Sequence, residues 1–323
     1  MHTSAHPSGT PRDWNERRRP CRSPSPPARL RVGVIGAGRV GSVLGHALDR
    51  AGHHVVAASG VSRDSLRRAV RLLPTAQVLP ADEVVALADL VLLAVPDDTL
   101  GGLVQGLADT GSWRRGQIVV HTSGAHGLAV LAPAIAAGVL PLALHPVMTF
   151  TGGPEDVQRL ADVSFGVTAA DEHRAVAEAL VVEMGGEPAW VPEQARGLYH
   201  AALAHGANHL ITLVNEAMDL LRTAGVGLPE RMIAPLLQAS LDNALRQGDS
   251  ALTGPVSRGD AGTVRRHLHE LVDHAPDSVA AYVAMARRTA DRAIASGRLR
   301  RLDAGPVLDV LAPGPESVPR SRR

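Results

Sequence analysis

The sequence predicts an α/β protein in which a doubly wound parallel sheet is followed by an all-α region. Three observations predict this fold class. Short apolar runs alternate with helical patterns from Leu30 to Pro192, as is typical of a parallel sheet. A glycine-rich turn joins the first strand to the first helix. From Glu193 onward the chain shows helical patterns only.

Strands are predicted from short apolar runs. Helices are predicted from the spacing of apolar residues and from the residues that typically begin or end a helix. Strands are predicted at residues 31–35, 54–59, 77–79, 90–95, 118–121, 140–144, 163–168 and 187–191. Helices are predicted from the glycine-rich turn to residue 51 and at residues 62–72, 82–88, 99–108, 128–137, 172–184, 194–223, 229–246, 262–273 and 276–296.

The composition excludes several classes of protein. Of the 323 residues, 45% are apolar and 20% are charged, which is typical of a globular protein and not of a disordered one. The formal net charge of +1 gives no argument for a nucleic-acid partner. The chain contains no Lys, so Schiff-base chemistry and a lysine general acid are excluded. The single cysteine, Cys21, cannot form an internal disulfide and fits a reducing compartment.

The chain is expected to consist of four segments: a disordered tail at residues 1–29, an α/β domain at 30–192, a helical domain at 193–302 and a loose tail at 303–323. Both tails are rich in Pro, Ser and Arg and lack apolar periodicity. No run of about 18 apolar residues predicts a membrane helix, and no apolar segment follows the N-terminal arginines as in a signal peptide. We therefore expect a cytoplasmic protein.

The glycine-rich turn has the pattern Gly36-x-Gly38-x-x-Gly41, with Arg39 and Val40 between its last two glycines. The first glycine allows a tight turn, the second lets the backbone approach a pyrophosphate, and the third permits close packing of helix on strand. The helix N-terminus adds partial positive charge. The pattern therefore predicts that the α/β region is a Rossmann dinucleotide-binding domain; the alternative is a glycine-rich turn without a ligand.

NADP(H) is favoured over NAD(H) by the end of the second strand. An NAD site usually has an acid there, whereas this chain has Ser59, Ser62 and Arg63, which suit a 2′-phosphate. The alternative is that Ser62 caps the next helix and that Arg63 is solvated. Asp64 is the competing observation, because it lies only one residue further on.

Further candidates lie at strand ends, where ligands of open α/β sheets bind. Val95 and Pro96 follow the fourth strand and Ser123 follows the fifth, so all three are predicted cofactor contacts. His145 ends the sixth strand and is a candidate proton donor.

Several fragments together resemble one family. They are Val95-Pro96-Asp97-Asp98, His121-Thr122-Ser123-Gly124, Leu144-His145-Pro146, Tyr199-His200-Ala201-Ala202, Gly206-Ala207-Asn208 and Thr253-Gly254-Pro255-Val256-Ser257-Arg258-Gly259-Asp260. Over about residues 31–300 the chain resembles the Rossmann-like family whose C-terminal half is the domain of unknown function 2520. That family is similar to 6-phosphogluconate dehydrogenases, ketopantoate reductases and pyrroline-5-carboxylate reductases.

The resemblance implies a reductase whose cofactor lies across the first half and whose substrate enters against the helical half. It also implies a homodimer that pairs through the helical domains. Many members of the superfamily place a Lys four residues before an Asn on a long helix. Here the Asn is Asn208 and the earlier residue is Ala204, so the usual proton donor is absent.

Other side chains are candidates for the missing chemistry. His200 lies eight residues before Asn208, so both share one face of the predicted helix. His200 or His145 would donate the proton, because histidine titrates near neutrality. Asn208 would hold the substrate oxygen and Arg258 would bind a carboxylate. The alternatives are that His200 packs at an interface, that His145 merely ends its strand and that Arg258 pairs with Asp260.

These observations predict an NADP(H)-dependent oxidoreductase that reduces a small carboxylate-bearing ketone. Ketopantoate is the most specific candidate, by analogy with the superfamily. The alternatives are a pyrroline-5-carboxylate-type imine reductase and a catalytically silent NADP-binding regulator. No metal is expected, because His205 and His209 lack the acid of a zinc motif. No nucleic-acid or membrane partner is expected.

Overall fold

The computed structural model describes residues 29–312 and divides into two compact units, one ending at Ala201 and one beginning at Ala202. The first unit is α/β and the second is helical. Of the expected tail at 1–29, residues 1–28 lie outside the described residues.

The first unit contains one eight-stranded sheet in the order β3-β2-β1-β4-β5-β6-β7-β8. Its strands are β1 (Arg31–Ile35), β2 (His54–Ser59), β3 (Gln77–Val78), β4 (Leu90–Leu93), β5 (Ile118–His121), β6 (Leu140–Pro146), β7 (Ser164–Thr168) and β8 (Glu187–Trp190). Its helices are α1 (Arg39–Arg50), α2 (Arg63–Leu72), α3 (Ala81–Leu87), α4 (Asp97–Asp109), α5 (Ala132–Ala136), α6 (Glu155–Arg159) and α7 (Arg174–Glu183), and α8 (Arg196–Thr223) begins in this unit. The predicted fold class, a Rossmann-type sheet followed by an all-α region, is confirmed.

The sheet has a separate apolar core on each face. In β4, Leu90 and Leu92 pack into one core while Val91 and Leu93 pack into the other, because successive side chains of a strand point to opposite faces. All four residues are buried, as expected of a central parallel strand. The strands β1, β4, β5 and β6 run parallel, so their carboxyl ends meet at one edge of the sheet.

Two strands depart from the predicted parallel sheet, because β7 and β8 both run opposite to the other strands. Strand β7 pairs with β6 in the antiparallel sense, whereas β7 and β8 are parallel to each other. The segment after β6 folds into a loop at Gly152 (φ +83°) and the short helix α6, which the sequence analysis missed. The buried carboxylate of Asp156 accepts hydrogen bonds from the amides of Thr151 (2.7 Å) and Gly152 (2.8 Å). This loop returns the chain along β6.

The second unit continues α8 and contains α9 (Pro229–Gln247), α10 (Gly254–Ser257), α11 (Ala261–His274), α12 (Val279–Ala295) and α13 (Arg301–Val310). Helix α13 contradicts the expected loose tail at 303–323, because residues up to Val310 are helical; residues 313–323 lie outside the described part. Ala304, Val307 and Leu311 are buried and have helical spacing. This spacing did not lead to a predicted helix, because Gly305 and Pro306 are typical of loops. Within residues 29–312, no helix has the length and hydrophobicity to span a bilayer.

Candidate functional site

The glycine-rich turn adopts the geometry that its sequence predicts. Gly36 has a φ of +91°, and a Cβ there would lie 2.5 Å from the carbonyl oxygen of Ala94. A Cβ on Gly41 would collide with the carbonyl oxygen of Gly36. The amides of Gly36 and Ala37 donate to the carbonyl oxygen of Ser59, at 3.1 and 2.8 Å, which ties the turn to the end of β2. Packing within the protein therefore requires glycine at positions 36 and 41.

Gly38 differs, because protein packing does not require it. A Cβ there would have no atom closer than 4.0 Å, and its φ of −74° is accessible to any residue. Gly38 is the N-cap of α1 and provides no side-chain cap for the first amides of that helix. A bare α-carbon beside free amides at a helix N-terminus fits a closely approaching pyrophosphate.

The end of β2 is polar and lacks an acid. The Ser62 hydroxyl accepts from the amide of Ser65 at 3.1 Å, so the predicted capping role of Ser62 is confirmed. Arg63, the first residue of α2, is exposed and forms no ion pair with any described residue. Asp64, by contrast, pairs with Arg67 at 3.3 Å. The solvated guanidinium of Arg63 fits a phosphate, and nothing in the described residues neutralises it.

The other predicted cofactor contacts lie near the glycine-rich turn. A Cγ atom of Val95 would lie 3.0 Å from a Cβ on Gly36. Pro96 is exposed as the N-cap of α4. Arg39, the first residue of α1, is exposed, while Val40 is half-buried against the core. Val95 thus lines the turn, whereas Arg39 and Pro96 present exposed surface beside it.

Ser123 and His121 form a buried turn after β5. The amide of Ser123 donates to Nδ1 of His121 (3.2 Å), and Nε2 of His121 donates to the carbonyl oxygen of Gly127 (2.8 Å). The Ser123 hydroxyl accepts from the amide of His126 at 3.1 Å. Burial lowers the pKa of His121 to about 4, so its imidazole is neutral. Both polar side chains are occupied by hydrogen bonds within the protein.

His145, His200 and Tyr199 meet at the carboxyl end of β6. The Nδ1 atom of His145 and the Tyr199 hydroxyl are 2.8 Å apart, and their rings are perpendicular. The His145 and His200 rings are 6.1 Å apart. A Cβ on Gly124 would lie 2.9 Å from Nε2 of His145 and 2.7 Å from Cδ2 of His200. The structure therefore brings both predicted histidines against one bare α-carbon.

His145 is a neutral imidazole in this environment. Burial lowers its pKa to about 4, and the positive charge of Arg196 and the neighbouring His200 add to that effect. The sequence analysis assumed a histidine donor that titrates near neutrality, and His145 does not. His145 can therefore pass on a proton only if its imidazole accepts another at the same time.

Arg196, the first residue of α8, is 1% exposed and has no carboxylate partner among the described residues. Its Nε donates to the Thr168 hydroxyl (2.8 Å), and one terminal nitrogen donates to the carbonyl oxygens of Ala143 (3.0 Å) and Gly166 (2.9 Å). Its guanidinium carbon lies 5.7 Å from the centroid of the Tyr199 ring. An arginine charge is thus held in the interior by neutral oxygens.

The remaining candidates lie in the second unit. Asn208 is exposed on α8, and Arg258 is exposed after α10. The carboxylate of Asp260 caps α11 through the amide of Thr263 (2.9 Å), and it forms no ion pair with Arg258. The Nδ1 atoms of His205 and His209 are 2.7 Å apart, and no group of three or more metal-ligating side chains occurs within residues 29–312.

Sequence reasoning missed three residues of this cluster. Tyr199 belongs to a quoted motif but received no role, because its partner His145 is 54 residues away. The sequence gives no indication that Arg196 is buried, since a charged residue at the start of a helix normally faces solvent. Gly124 belongs to a quoted fragment but received no role, whereas the structure packs two imidazoles against it.

Two family models match the chain, and no curated protein sequence matches it significantly. The model of the Rossmann-like domain matches residues 18–146, and the model of the domain of unknown function DUF2520 matches residues 163–289.

Solved structures resemble the chain over most of its length. A Bacteroides fragilis protein assigned as an NADP oxidoreductase has 22% identity and a TM-score of 0.68, over 81% of this chain and 98% of its own. An imine reductase from Pseudomonas sp. has 17% identity and a TM-score of 0.62, over 84% and 99%. Pyrroline carboxylate reductase from Plasmodium falciparum, solved with NADP bound, has 13% identity and a TM-score of 0.53, over 85% and 98%. At these identities the likeness shows a shared fold.

Proposed function

Because the chain belongs to the Rossmann-like family with the C-terminal domain of unknown function 2520, we propose that it is an NADP(H)-dependent oxidoreductase that reduces a small carbonyl or imine substrate. The observation that carries this proposal is the cluster of His145, His200 and Tyr199 around Gly124. The cluster lies at the carboxyl ends of parallel strands, the edge at which the glycine-rich turn also lies.

The glycine-rich turn would hold the dinucleotide. The amides at the start of α1 and the bare α-carbon of Gly38 suit the pyrophosphate, and Val95 lines the turn beside them. When bound, a reduced nicotinamide would supply hydride to the substrate carbon. Ser123 is a weaker candidate for a contact, because its hydroxyl is occupied within its own turn.

The cofactor is NADP(H) in preference to NAD(H). The support is the absence of an acid at the end of β2, together with the exposed and unpaired guanidinium of Arg63 among the described residues. Ser59 and Ser62 lie beside it, although the hydroxyl of Ser62 also caps α2.

The proton for the substrate heteroatom comes from the histidines at Gly124. The Nε2 atom of His145 faces that bare α-carbon, while its Nδ1 atom is occupied by Tyr199. His200 lies on the other side of the same α-carbon. Because the two rings already fill the space beside Gly124, the reacting carbonyl or imine group would approach them from their partly exposed side.

The substrate class is a small ketone with a carboxylate, with ketopantoate as its most specific member. Asn208 would hold the oxygen and Arg258 would bind the carboxylate; both side chains are exposed. The cyclic imines are the second candidate, favoured by the two fold relatives described as imine and pyrroline carboxylate reductases.

The test is a steady-state assay of NADPH oxidation with a panel of 2-keto acids, including ketopantoate, and cyclic imines. His145→Gln and His200→Gln are compared with His54→Gln, an exposed histidine of β2 that serves as the matched control. Loss of the proton donor is expected to lower kcat about 10²–10⁴-fold, while the control keeps full activity. NADPH binding without turnover of any panel member would refute the proposal and favour the silent regulator.

The helical unit pairs with a second copy of the chain. The support is α9, in which Pro229 is the single buried residue while Met232, Leu236 and Leu245 are 61%, 65% and 79% exposed. Exposed apolar side chains on opposite sides of one helix are typical of an interface. Sedimentation should show a dimer that Leu236→Glu weakens, and a monomeric wild type at micromolar concentration would contradict this interpretation.

A further inference from the structure

The interior of the first unit holds a positive charge that has no carboxylate partner within residues 29–312. Arg196 is buried, and every acceptor that it contacts is a neutral oxygen. Burial of an unpaired charge is costly, and a buried arginine is normally paired with a carboxylate. The group beside it that can become negative is the phenol of Tyr199, whose ring lies 5.7 Å from the guanidinium carbon.

We propose, on the basis of the function proposed above, that the Tyr199 hydroxyl is the proton source, that His145 relays its proton, and that Arg196 is the charge partner of the phenolate that remains. Tyr199 contacts Nδ1 of His145, and Nε2 of His145 faces the bare α-carbon of Gly124. The three groups therefore form a chain of contacts from the buried Arg196 to the partly exposed imidazole of His145, beside which the substrate would bind.

The transfer balances as two linked proton movements. The imidazole of His145 gives its Nε2 proton to the substrate oxygen or nitrogen as the carbon is reduced. Its Nδ1 atom takes the hydroxyl proton of Tyr199, so the imidazole stays neutral and changes tautomer. Tyr199 becomes a phenolate and regains a proton from water after the product leaves. A histidine that is neutral at pH 7 can thus serve in proton delivery, because it never becomes an imidazolium.

The charges around Tyr199 favour this arrangement. Burial raises the pKa of the Tyr199 hydroxyl, and the guanidinium of Arg196 opposes that rise. The negative charge of Asp97 raises the pKa of His145, and that of Glu193 raises the pKa of Arg196. The carboxylate of Glu193 also accepts hydrogen bonds from the amides of Leu128 (2.7 Å) and Ala129 (3.0 Å). The guanidinium of Arg196, whose carbon lies 5.7 Å from the ring centroid, therefore stabilises the phenolate against the cost of its burial.

The chain contains a matched internal control. Tyr282 is the other of its two tyrosines; it is also half-buried, and its hydroxyl lies 2.9 Å from Nδ1 of His267 with the rings perpendicular. Burial raises the pKa of Tyr282 as well, and no cation opposes it. The two tyrosine–histidine pairs therefore share burial of the phenol and the contact with Nδ1, and they differ in Arg196 and in the exposure of the histidine, because His267 is exposed.

The first experiment titrates each tyrosine by the ultraviolet absorbance of tyrosinate, without cofactor or substrate. Tyr282→Phe reports on Tyr199, and Tyr199→Phe reports on Tyr282, with circular dichroism confirming that each protein stays folded. Tyr199 is expected to ionise at a lower pH than Tyr282, because Arg196 opposes the effect of burial only at Tyr199. Ionisation of Tyr199 at or above the pH of Tyr282 would overturn the charge pairing, even if no Arg196 variant folds.

The second experiment changes the cation in the Tyr282→Phe background. Arg196→Met is expected to remove the difference between the two tyrosines, and Arg196→Lys is expected to restore most of it. A folded Arg196→Met protein in which Tyr199 ionises at the wild-type pH would contradict the proposal.

The third experiment separates the relay from the proposed function. With the best substrate of the panel, Tyr199→Phe is expected to lower kcat about 10²–10⁴-fold at nearly constant KM, while Tyr282→Phe keeps wild-type activity. Turnover that is unaffected in Tyr199→Phe overturns the relay alone. Absence of turnover in the wild-type protein refutes the proposed reductase instead, and the titration still decides the pairing of Arg196 with Tyr199.

Discussion

Replacing Gly38 by alanine separates cofactor binding from stability. A Cβ at position 38 has 4.0 Å of clearance, and the backbone angles there suit alanine. Alanine is a poorer N-cap than glycine, so we expect Gly38→Ala to lower the free energy of unfolding by about 1 kcal/mol or less. In a protein of 323 residues that is a fall in Tm of about 2 °C or less.

The same methyl group would occupy the space of an approaching pyrophosphate. Overpacking of this kind costs about 1–3 kcal/mol, which corresponds to about a 5- to 150-fold increase in Kd for NADPH. The assay is a titration of NADPH fluorescence, with urea unfolding measured on the same samples. NADPH affinity equal to that of the wild type would refute the assignment of this turn as the pyrophosphate site.

Gly41→Ala is the matched control, because its methyl group meets protein and not ligand. It would collide with the carbonyl oxygen of Gly36 and lie 2.9 Å from Cβ of Ala94. We therefore expect it to lower the free energy of unfolding by about 1–3 kcal/mol. Equal losses of stability in the two variants would show that position 38 is also constrained by packing.

Three further results are expected. Arg63→Ala should weaken NADPH binding by about 1.5–3 kcal/mol and leave NADH binding unchanged, whereas Arg67→Ala, which removes the partner of Asp64, should change neither Kd. The lowered pKa values of His121 and His145 mean that the unfolded chain takes up two protons that the folded protein does not, so stability should fall by on the order of 3 kcal/mol for each histidine as the pH drops from about 6.5 to about 4; in urea unfolding, His121→Gln should lose about half of that dependence and keep the part due to His145. Val307→Ala should cost about 2 kcal/mol because Val307 is fully buried, and Leu308→Ala, 37% exposed, should cost clearly less; equal costs would contradict the packing of α13.

Most strands and helices could be predicted from local patterns in the sequence. The run at β5, residues 118–121, was predicted with its observed ends, because a strand buried on both faces reads as an uninterrupted apolar segment. The direction of β7 could not be predicted, since a strand of five residues has the same sequence pattern in parallel and antiparallel pairs. Helix α13 was missed because Gly305 and Pro306 are typical of loops, although the apolar spacing around them is helical.

The candidate site was predictable only where one element defines it. His145 was found because it ends a strand at the edge where ligands bind, and Gly38 because its motif is local. The pKa of His145 was not accessible, since it depends on burial and on Arg196, 51 positions later in the chain. The burial of Arg196 could not be predicted, because the oxygens that accept its hydrogen bonds come together only in the folded sheet.

The hydrogen bonds of Arg196 also set an order of events for folding. Its partners at Thr168, Gly166, Ala143 and Ser123 are 28, 30, 53 and 73 residues away in sequence, so they exist together only after β5, β6 and β7 have assembled. Burial of the guanidinium is costly until these oxygens are in place to accept its hydrogen bonds. We therefore expect Arg196 to be buried late in folding. Interactions that form after the rate-limiting step slow unfolding and have little effect on the folding rate. The hydrogen bonds of Arg196 are therefore expected to lower the unfolding rate of the sheet.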